Sequence, residues 1–465
     1  MTTAARPVPA QLVDIVGDPN VISDFARLAD YEIDGMRPSA AALPGTAEEV
    51  TELVRLCGAA KLAAVPCGAR TKLRIGMPPT RYDLAIDMTR MNRVLAYEPD
   101  DLTLGVEAGL TLAELQRVLG ERNQFLPVAA PFFSRATIGG TVATNMDGPM
   151  RQSYGTARDY VLGMEFVTGE GVKMKSGARV VKSVTGYDLH KLLIGGLGTL
   201  GIITRINFKT FPRPRTKCTL LAAFPDADAA LEFRSKIARS ALAIHSLEIL
   251  NPLMWKFLAD QTTGQQNASQ NPDSVETRDG WMGAVSFSGN EEALGRCETD
   301  LRRMAEESKA ANFNLAEDRE RGRLWDRLCE ILSILQETSP EVAILRISVV
   351  PTQLRELAGK LQEIAGENQV PVALLARGVG VVYCALLPGD SGDFQNPQMA
   401  KTCTAILEAV SKLQGHAMIP WCPVALKKEI NIWGPPRDDF ALMRKVKEVF
   451  DPQRILSPGR YVGGL

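Results

Sequence analysis

The sequence predicts an α+β protein of two domains with a C-terminal segment that folds back onto the body of the protein. Its 465 residues exceed the roughly 250 to 300 at which a single hydrophobic core stops growing. Strand-like runs alternate with amphipathic helical patterns, and the proline-rich break Phe211-Pro-Arg-Pro214 separates two stretches of different texture. We therefore expect an N-terminal arm at 1–36, domains at 37–214 and 215–425, and the C-terminal segment at 426–465.

Helix-capping signals and one turn organise the first domain. Thr46 with Glu49, and Thr111 with Glu114, have the spacing of capping boxes and predict helices that start there. The Gly-Glu-Gly turn between two strand-like runs, 161–168 and 171–175, predicts a β-hairpin.

Two loops in this domain are rich in glycine and hydroxyl groups. The first, Pro66 to Gly76, also carries Arg70, Lys72 and Arg74. The second lies in residues 131–160, a stretch of small residues with almost no periodicity. Long loops inside a compact domain are usually functional, and such loops can hold phosphate groups with backbone N–H groups.

A third glycine-rich stretch matches a dinucleotide-binding fingerprint only in its letters. Gly196, Gly198 and Gly201 fit G-x-G-x-x-G, which requires a preceding strand and a following helix. Here a helix-like turn at 189–194 precedes the glycines and a strand-like run at 202–208 follows them. The order excludes a Rossmann site, but glycines still allow close backbone approach to a ligand.

The sequence pattern of the second domain predicts an α+β fold. Its strand-like runs include 220–224, 284–287, 343–350 and 379–387, and the pattern leaves open whether two similar halves repeat. A helix at 438–449 and a Pro-Gly tail follow.

Composition and rare residues limit the possible functions. The formal charge of −1 provides no positive electrostatic field that would attract nucleic acid, so we do not expect a nucleic-acid-binding protein. The N-terminus lacks the apolar core of a secretory signal, so we expect a cytoplasmic protein. The eight cysteines are scattered, without a C-x-x-C pair, which excludes a recognisable zinc or iron–sulfur site and predicts no bound metal.

There are three histidines. We expect His190 to be solvated and His245 to be structural, while His416 is the least unfavourable candidate for a base.

Five segments in order resemble the FAD-binding domain of the vanillyl-alcohol oxidase or PCMH type. They are CGARTKLRIG, ATIGGTVATN, YGTARDYVLGMEFVTGEG, VKSVTGYDLHKLLIGGLGTLGIIT and DPQRILSPGRYVGGL. The likeness spans about residue 38 to 465 and is greatest to the FAD-binding E subunits of glycolate oxidase. It implies a PCMH-type domain of two subdomains, a ferredoxin-like α+β cap domain, and a C-terminal segment that returns to the FAD domain.

The resemblance also implies the FAD-binding residues. The first loop would wrap the pyrophosphate, the second would continue toward the isoalloxazine, and the third would line the adenine and ribose. The implied residues are Pro66, Cys67, Gly68, Ala69, Arg70, Thr71, Lys72, Pro131, Thr137, Ile138, Gly139, Gly140, Thr144, Asn145, Gly155, Thr156, Arg158, Asp159, Gly198, Gly201, Ile202, Ile203 and Arg460.

Two departures from the family pattern bear on chemistry. Relatives with covalent flavin have a histidine after the glycines of the first loop, where this chain has Ala69-Arg70-Thr71, so we expect non-covalent FAD. Arg377 stands where catalytic relatives carry a histidine of a metal and substrate site. It is a candidate to bind a substrate carboxylate, or else to pair with an acidic residue or an FAD phosphate. No catalytic base is assigned.

The resemblance implies the FAD-binding subunit of a complex that oxidises glycolate to glyoxylate. Its partners would be a catalytic FAD-binding flavoprotein subunit and an iron–sulfur subunit, through which any membrane association would arise. A self-sufficient FAD-dependent 2-hydroxy-acid dehydrogenase is the alternative within enzymes. A non-catalytic assembly or electron-relay flavoprotein is the alternative of another class.

Overall fold

The computed structural model describes residues 8–128, 130–179, 186–259, 280–389 and 396–465. The chain divides into two compact units. The first comprises Met1–Met146, Thr156–Pro212 and Pro435–Leu465, and the second comprises Asp147–Gly155 and Arg213–Gly434. Within the described residues, no helix is long and apolar enough to cross a membrane.

The first unit is built on two main sheets. Its strands are β1 (Val21–Ile22), β2 (Ala40–Ala42), β3 (Ala64–Cys67), β4 (Leu84–Asp87), β5 (Val94–Glu98), β6 (Thr103–Glu107), β7 (Gln124–Phe125), β8 (Val161–Val167), β9 (Lys173–Gly177), β10 (Ile202–Lys209) and β11 (Phe211–Pro212). One sheet has the order β1-β2-β4-β3, in which β4 runs parallel to both β2 and β3. The other is antiparallel, with the order β5-β6-β10-β8-β9, and β7 pairs separately with β11. The predicted hairpin is therefore β8 and β9.

Short helices connect these strands. They are α1 (Val8–Val16), α2 (Phe25–Leu28), α3 (Ala47–Ala60), α4 (Leu112–Gly120), α5 (Ile138–Thr144), α7 (Ala157–Tyr160), α8 (His190–Leu193) and α16 (Phe440–Phe450). Thr46 and Thr111 cap α3 and α4 by accepting hydrogen bonds from the backbone N–H groups of Glu49 and Glu114, as their spacing predicts. Leu12 of α1 is fully buried with Leu53 and Val54 of α3, so the N-terminal arm contributes to this core.

The second unit contains one antiparallel sheet of eight strands. They are β12 (Lys217–Phe224), β13 (Ile244–Leu250), β14 (Trp281–Ser288), β15 (Asn312–Glu317), β16 (Ala343–Ser348), β17 (Val372–Arg377), β18 (Val381–Leu386) and β19 (His416–Trp421). Its helices are α6 (Arg151–Tyr154), α9 (Ala227–Arg239), α10 (Pro252–Ala259), α11 (Glu291–Glu307), α12 (Asp318–Thr338), α13 (Leu354–Glu367), α14 (Asn396–Lys412) and α15 (Val424–Glu429).

The strand order shows that the second unit consists of two similar halves. The order β15-β12-β14-β13-β17-β18-β16-β19 consists of two groups of four strands, each in the order of a ferredoxin-like unit, joined where β13 pairs with β17. Each group has a helix after its first strand and another before its last, α9 and α11 in one and α13 and α14 in the other. The second unit is thus a duplicated ferredoxin-like fold.

Candidate functional site

A cleft in the first unit brings together the three glycine-rich segments. It measures about 750 Å³ including the part open to solvent, within the range of about 300–1,000 Å³ usual for cofactor sites. The residues that line it are Pro66, Cys67, Gly68, Ala69, Arg70, Thr71, Lys72, Leu73, Ile75, Met88, Ala108, Thr137, Gly139, Gly140, Ala143, Thr144, Leu197, Gly198, Gly201, Ile202, Ile203 and Arg460. Backbone groups and small side chains therefore form much of its wall.

The first two loops meet at Gly68. A Cβ at this position would collide with the Oγ1 atom of Thr137, which caps α5. Because no other residue lacks a Cβ, only glycine lets the two segments approach this closely.

The glycine pair of α5 has two separate roles. A Cβ on Gly139 would lie 2.8 Å from the Cβ of Ala108, so this glycine allows α5 to pack against the end of β6. Gly140 meets only Thr137 Oγ1, at 3.1 Å, and lines the cleft. Gly139 thus sets the position of α5, and Gly140 keeps its cleft surface free of a side chain.

The third glycine segment joins a helix to a strand, as the sequence predicts. Helix α8 ends at Leu193 and β10 begins at Ile202. Gly198 has a φ of +70°, and a Cβ there would lie 2.5 Å from Pro66 Cγ in the first loop. The segment closes the cleft against that loop and provides no helix N-terminus for a Rossmann-type site.

Three cationic side chains line the cleft, each held differently. Arg70 pairs with the buried Asp87 at 2.6 Å and lies over the Tyr31 ring, 4.6 Å from its centre. The Lys72 ammonium is buried and lies 3.4 Å from the Pro131 carbonyl oxygen. Arg460 donates to the carbonyl oxygens of Leu73 and Ile75, and burial lowers its pKa to about 10, so it stays charged at neutral pH.

The cleft fits FAD. Arg460 is a buried guanidinium in the wall of the cleft, and a guanidinium is suited to bind a phosphate group. The glycines remove the side chains that would otherwise keep a large ligand from the backbone. In such a complex, the first loop, Lys72 and Arg460 are the groups suited to the pyrophosphate.

Seven of the predicted FAD residues lie outside the cleft lining: Pro131, Ile138, Asn145, Gly155, Thr156, Arg158 and Asp159. Ile138 is fully buried inside α5, and Asn145 ends that helix in a left-handed conformation. Thr156 and Asp159 form the capping box of α7, and Arg158 donates to the Lys191 carbonyl oxygen at 2.7 Å. Lys182 to Thr185, part of the KSVTGYD motif, lie outside the described residues.

Six cleft residues were not predicted: Leu73, Ile75, Met88, Ala108, Ala143 and Leu197. All are apolar and adjoin the glycine loops or the strand ends. They give no chemical signal in the sequence, because apolar residues usually indicate core.

The second unit holds a buried group of charges that we call the arginine cluster. It consists of Asp147, Arg151, Glu248, Arg346, Arg377 and Tyr383. Arg377 Nη1 lies 2.6 Å from Glu248 Oε1, and Arg377 Nε lies 3.7 Å from Asp147 Oδ1. Asp147 also pairs with Arg346 at 3.1 Å and with Arg151. Arg377 is thus paired with acidic residues, one of the alternatives that the sequence left open.

Strand pairing explains why these side chains meet. Glu248 of β13 stands directly opposite Arg377 of β17, and Arg346 of β16 stands opposite Tyr383 of β18. Tyr383 is also paired with Leu375, two residues before Arg377. Since alternate residues of a strand share a face, all four lie on one face of the sheet.

Burial perturbs the ionisation of the cluster. Glu248 is fully buried, and this raises its pKa to about 7 although Arg377 opposes the shift. The arginines beside Asp147 outweigh its burial and lower its pKa. The sequence signal for the cluster was a charged residue inside an apolar strand run, as at Glu248 in SLEIL and Arg346 in ILRIS.

The three histidines lie in different environments. His190 is buried, with 2% of its surface exposed, and its Nδ1 lies 3.0 Å from Ser176 Oγ, so the expectation that it is solvated was wrong. His245 contacts Ser288 Oγ and stacks on Tyr154, which agrees with a structural role. His416 begins β19 opposite Ser348 and is half-buried.

Comparison with known families identifies the domains. Residues 38–176 match the family described as FAD binding domain, and residues 213–416 and 434–461 match the FAD linked oxidases, C-terminal domain.

Curated relatives cover nearly the whole chain. The glycolate oxidase subunit GlcD of Bacillus subtilis is 26% identical and aligns over 98% of this chain and 96% of its own length. A D-2-hydroxyglutarate dehydrogenase of Xanthomonas citri pv. viticola is 27% identical, over 91% of this chain and 89% of its own. The mitochondrial cytochrome-type D-lactate dehydrogenase of Arabidopsis thaliana is 26% identical, over 91% of this chain and 73% of its own.

Solved structures share the fold. p-Cresol methylhydroxylase superposes with a TM-score of 0.77 at 17% identity, over 97% of this chain and 95% of its own. Alkyldihydroxyacetonephosphate synthase gives a TM-score of 0.74 at 18% identity, over 98% and 85%. At these identities the likeness concerns the fold alone.

Proposed function

We propose that this chain is the FAD-binding subunit of a complex that oxidises glycolate to glyoxylate. The chain is an FAD-dependent oxidoreductase with a PCMH-type fold, and it acts on the CH–OH group of 2-hydroxy acids. The observation that carries the proposal is the glycine-walled cleft with its buried Arg460. The glycolate oxidase subunit among the relatives supports the choice of substrate.

The bound FAD supplies the hydride acceptor for this chemistry. The first loop, Lys72 and Arg460 bind its pyrophosphate, and the glycines keep the approach to the backbone open. Arg377 is the residue that we propose for the substrate carboxylate, because a guanidinium can donate two parallel hydrogen bonds to it.

We propose that the FAD is held without a covalent bond. The first loop has no histidine, and Cys67, which lines the cleft, is a poor nucleophile because burial raises its pKa well above 9.0. Denaturing the purified holoprotein should release its flavin into the supernatant. Flavin that stays with the precipitated chain would contradict this.

The proposal that this chain needs partner subunits rests on its cysteines and histidines. The eight cysteines are divided between the two units, and in the described part of the chain no group of cysteine, histidine and acidic side chains is placed to hold a metal ion or cluster. None of its three histidines belongs to the arginine cluster. A catalytic flavoprotein subunit and an iron–sulfur subunit would supply what this chain lacks.

Anaerobic reduction separates the proposal from its alternatives. The holoprotein is mixed with glycolate, D-lactate or D-2-hydroxyglutarate, and the flavin absorbance is followed with and without proteins that co-purify from native cells. We expect bleaching by glycolate only when those proteins are present. Bleaching of the lone chain would favour the self-sufficient dehydrogenase, for which the D-lactate and D-2-hydroxyglutarate dehydrogenases among the relatives are the specific support.

The electron-relay role also predicts that glycolate bleaches the flavin only when the partners are present. It is favoured if that bleaching is unchanged in the double variant E248Q/R377M, which lacks the residue that we propose for the substrate carboxylate. A purified chain that stays colourless after incubation with FAD would overturn the use of the cleft for this cofactor.

A further inference from the structure

We propose that the arginine cluster binds the carboxylate of a small 2-hydroxy acid by exchange, in which Glu248 gives up Arg377 to the ligand and takes a proton from solvent. The inference deepens the proposed function and rests on it for the ligand class. It concerns binding and is independent of any partner subunit.

The cluster has an excess of positive charge. Three arginines face the two carboxylates of Asp147 and Glu248, and Glu248 is the weaker acid of the two. One positive charge is therefore uncompensated when both carboxylates are ionised, and two are uncompensated when Glu248 is protonated. Since a buried net charge is costly, the cluster stabilises a monovalent anion.

The hydrogen bonds show where an anion would enter. Asp147 is held by Arg151, Arg346 and Tyr383, so it is firmly fixed. Glu248 accepts from Arg377 alone among the described residues, and neither its Oε2 atom nor Arg377 Nε makes a hydrogen bond there. Arg377 therefore has donor capacity that its present partners do not use, and Glu248 is the partner most easily replaced.

Glu248 is suited to take the proton that the exchange requires. Two ionisable groups act on the Glu248 carboxyl: Arg377 favours its charged form, and Asp147 opposes that form. The negative charge of Glu248 in turn raises the pKa of Cys329 in α12. An incoming carboxylate adds a second negative charge beside Glu248 and occupies Arg377. Both effects favour protonated Glu248, so each bound ligand brings about one proton with it.

The cluster is reachable at one edge. Arg151 and Arg346 keep 26% and 15% of their side chains exposed, whereas Arg377 keeps 4%. A small anion can first contact the outer guanidiniums and then reach Arg377.

The test is calorimetric binding of 2-hydroxyisobutyrate to the oxidised holoprotein. This acid has the carboxylate and hydroxyl groups of the substrate class but no hydrogen on the hydroxyl carbon, so it cannot be oxidised to a keto acid. Titrations in two buffers of different ionisation enthalpy give the number of protons taken up. We expect close to one proton per ligand at about pH 8, and a Kd that rises roughly tenfold per pH unit above the pKa of Glu248.

Two variants assign the effect to named residues. E248Q should bind at least as tightly as the wild type, with no proton uptake and a Kd that is flat with pH. The double variant E248Q/R377M, which removes the buried pair together so that no carboxylate is left unpaired, should bind at least about tenfold more weakly than E248Q. R302M, which removes a half-exposed arginine that pairs with Glu298 on α11, is the matched control and should bind as the wild type does.

The absence of saturable binding would overturn the inference, as would proton uptake that survives E248Q or an E248Q/R377M variant that binds as tightly as E248Q. The proposed function fails separately, when no 2-hydroxy acid bleaches the flavin even with partners present. A chain that is reduced by glycolate but fails the binding test would keep the function and lose the exchange at Glu248.

Discussion

Single atoms decide whether the cleft can form, and Gly68 is the clearest case. In G68A the new methyl group would collide with Thr137 Oγ1, a side chain that is itself 97% buried and fixed as the cap of α5. The two loops must then move apart, and we expect the variant to bind FAD at least about tenfold more weakly, since a 1.4 kcal/mol loss of binding energy is a tenfold rise in Kd. The ratio of flavin to protein absorbance at several FAD concentrations measures this.

The control for that variant is another glycine. G295A lies in α11, where an added Cβ meets nothing within 4 Å. Alanine favours a helix over glycine by up to about 1 kcal/mol, so this variant should keep its FAD and unfold at the same or a higher temperature. If G68A and G295A carried equal FAD, the close approach at Gly68 would be irrelevant to the cofactor.

Residues were predictable from sequence where their chemistry needs a particular residue type. Gly68, Gly139 and Gly198 stand out because glycine alone permits their contacts. His190 was misjudged, because the polar positions of a four-residue helix do not reveal that Ser176 of β9 covers its ring. Burial by a distant strand is a tertiary property with no local signal.

At the scale of elements, Lys447 ties α16 to the rest of the first unit. Its buried ammonium donates to Asp451 Oδ2 at 2.7 Å, to the Thr199 carbonyl oxygen at 2.7 Å and to the Leu456 carbonyl oxygen at 2.9 Å. K447M leaves Asp451 buried without its cation, and we expect a loss of about 3–5 kcal/mol in the free energy of unfolding, measured by urea denaturation.

A neighbouring lysine on the same helix provides the comparison. Lys445 is exposed, so K445M should change the free energy of unfolding by less than about 0.5 kcal/mol. Equal stability of the two variants would show that the buried contacts of Lys447 contribute nothing net.

Elements with local signals were the ones that the sequence could predict. The caps at Thr46 and Thr111, the β8–β9 hairpin and the helix-to-strand order around Gly198 all depend on residues a few positions apart. The segment 131–160, in contrast, contains three short helices, α5, α6 and α7, that its weak periodicity did not indicate. Helices this short depend on tertiary packing, which is absent from local sequence.

At the scale of the whole molecule, the duplication within the second unit could be suspected but not established from sequence. The two groups of strands share an order and not a recognisable sequence repeat. The arginine cluster depends on that order, because Glu248 and Arg377 meet only where β13 of one half pairs with β17 of the other. A contact between residues 129 positions apart is fixed by topology, which no local pattern encodes.

Stability of the whole molecule against pH should combine two opposite contributions, one from each unit. Burial lowers the pKa of His190 below 6.5, so the unfolded chain binds more protons and stability falls as the pH drops below about 6.5. Burial raises the pKa of Glu248 from 4.5 to about 7, so the folded chain binds more protons and stability is lost as the pH rises from about 4.5 through 7. Over the shared window near pH 5 to 6.5 the two slopes partly cancel in the wild type.

Single variants should uncover each slope. E248Q removes the loss of stability that Glu248 causes as the pH rises, so the melting temperature of this variant should increase between about pH 5 and 7. H190Q removes the opposite contribution, so its melting temperature should decrease over the same range. The double variant should be nearly flat, because the two groups lie in different units and share no partner. Calorimetric scans at several pH values measure all four proteins, and parallel profiles for E248Q and H190Q would refute the assignment of opposite signs to these two buried groups.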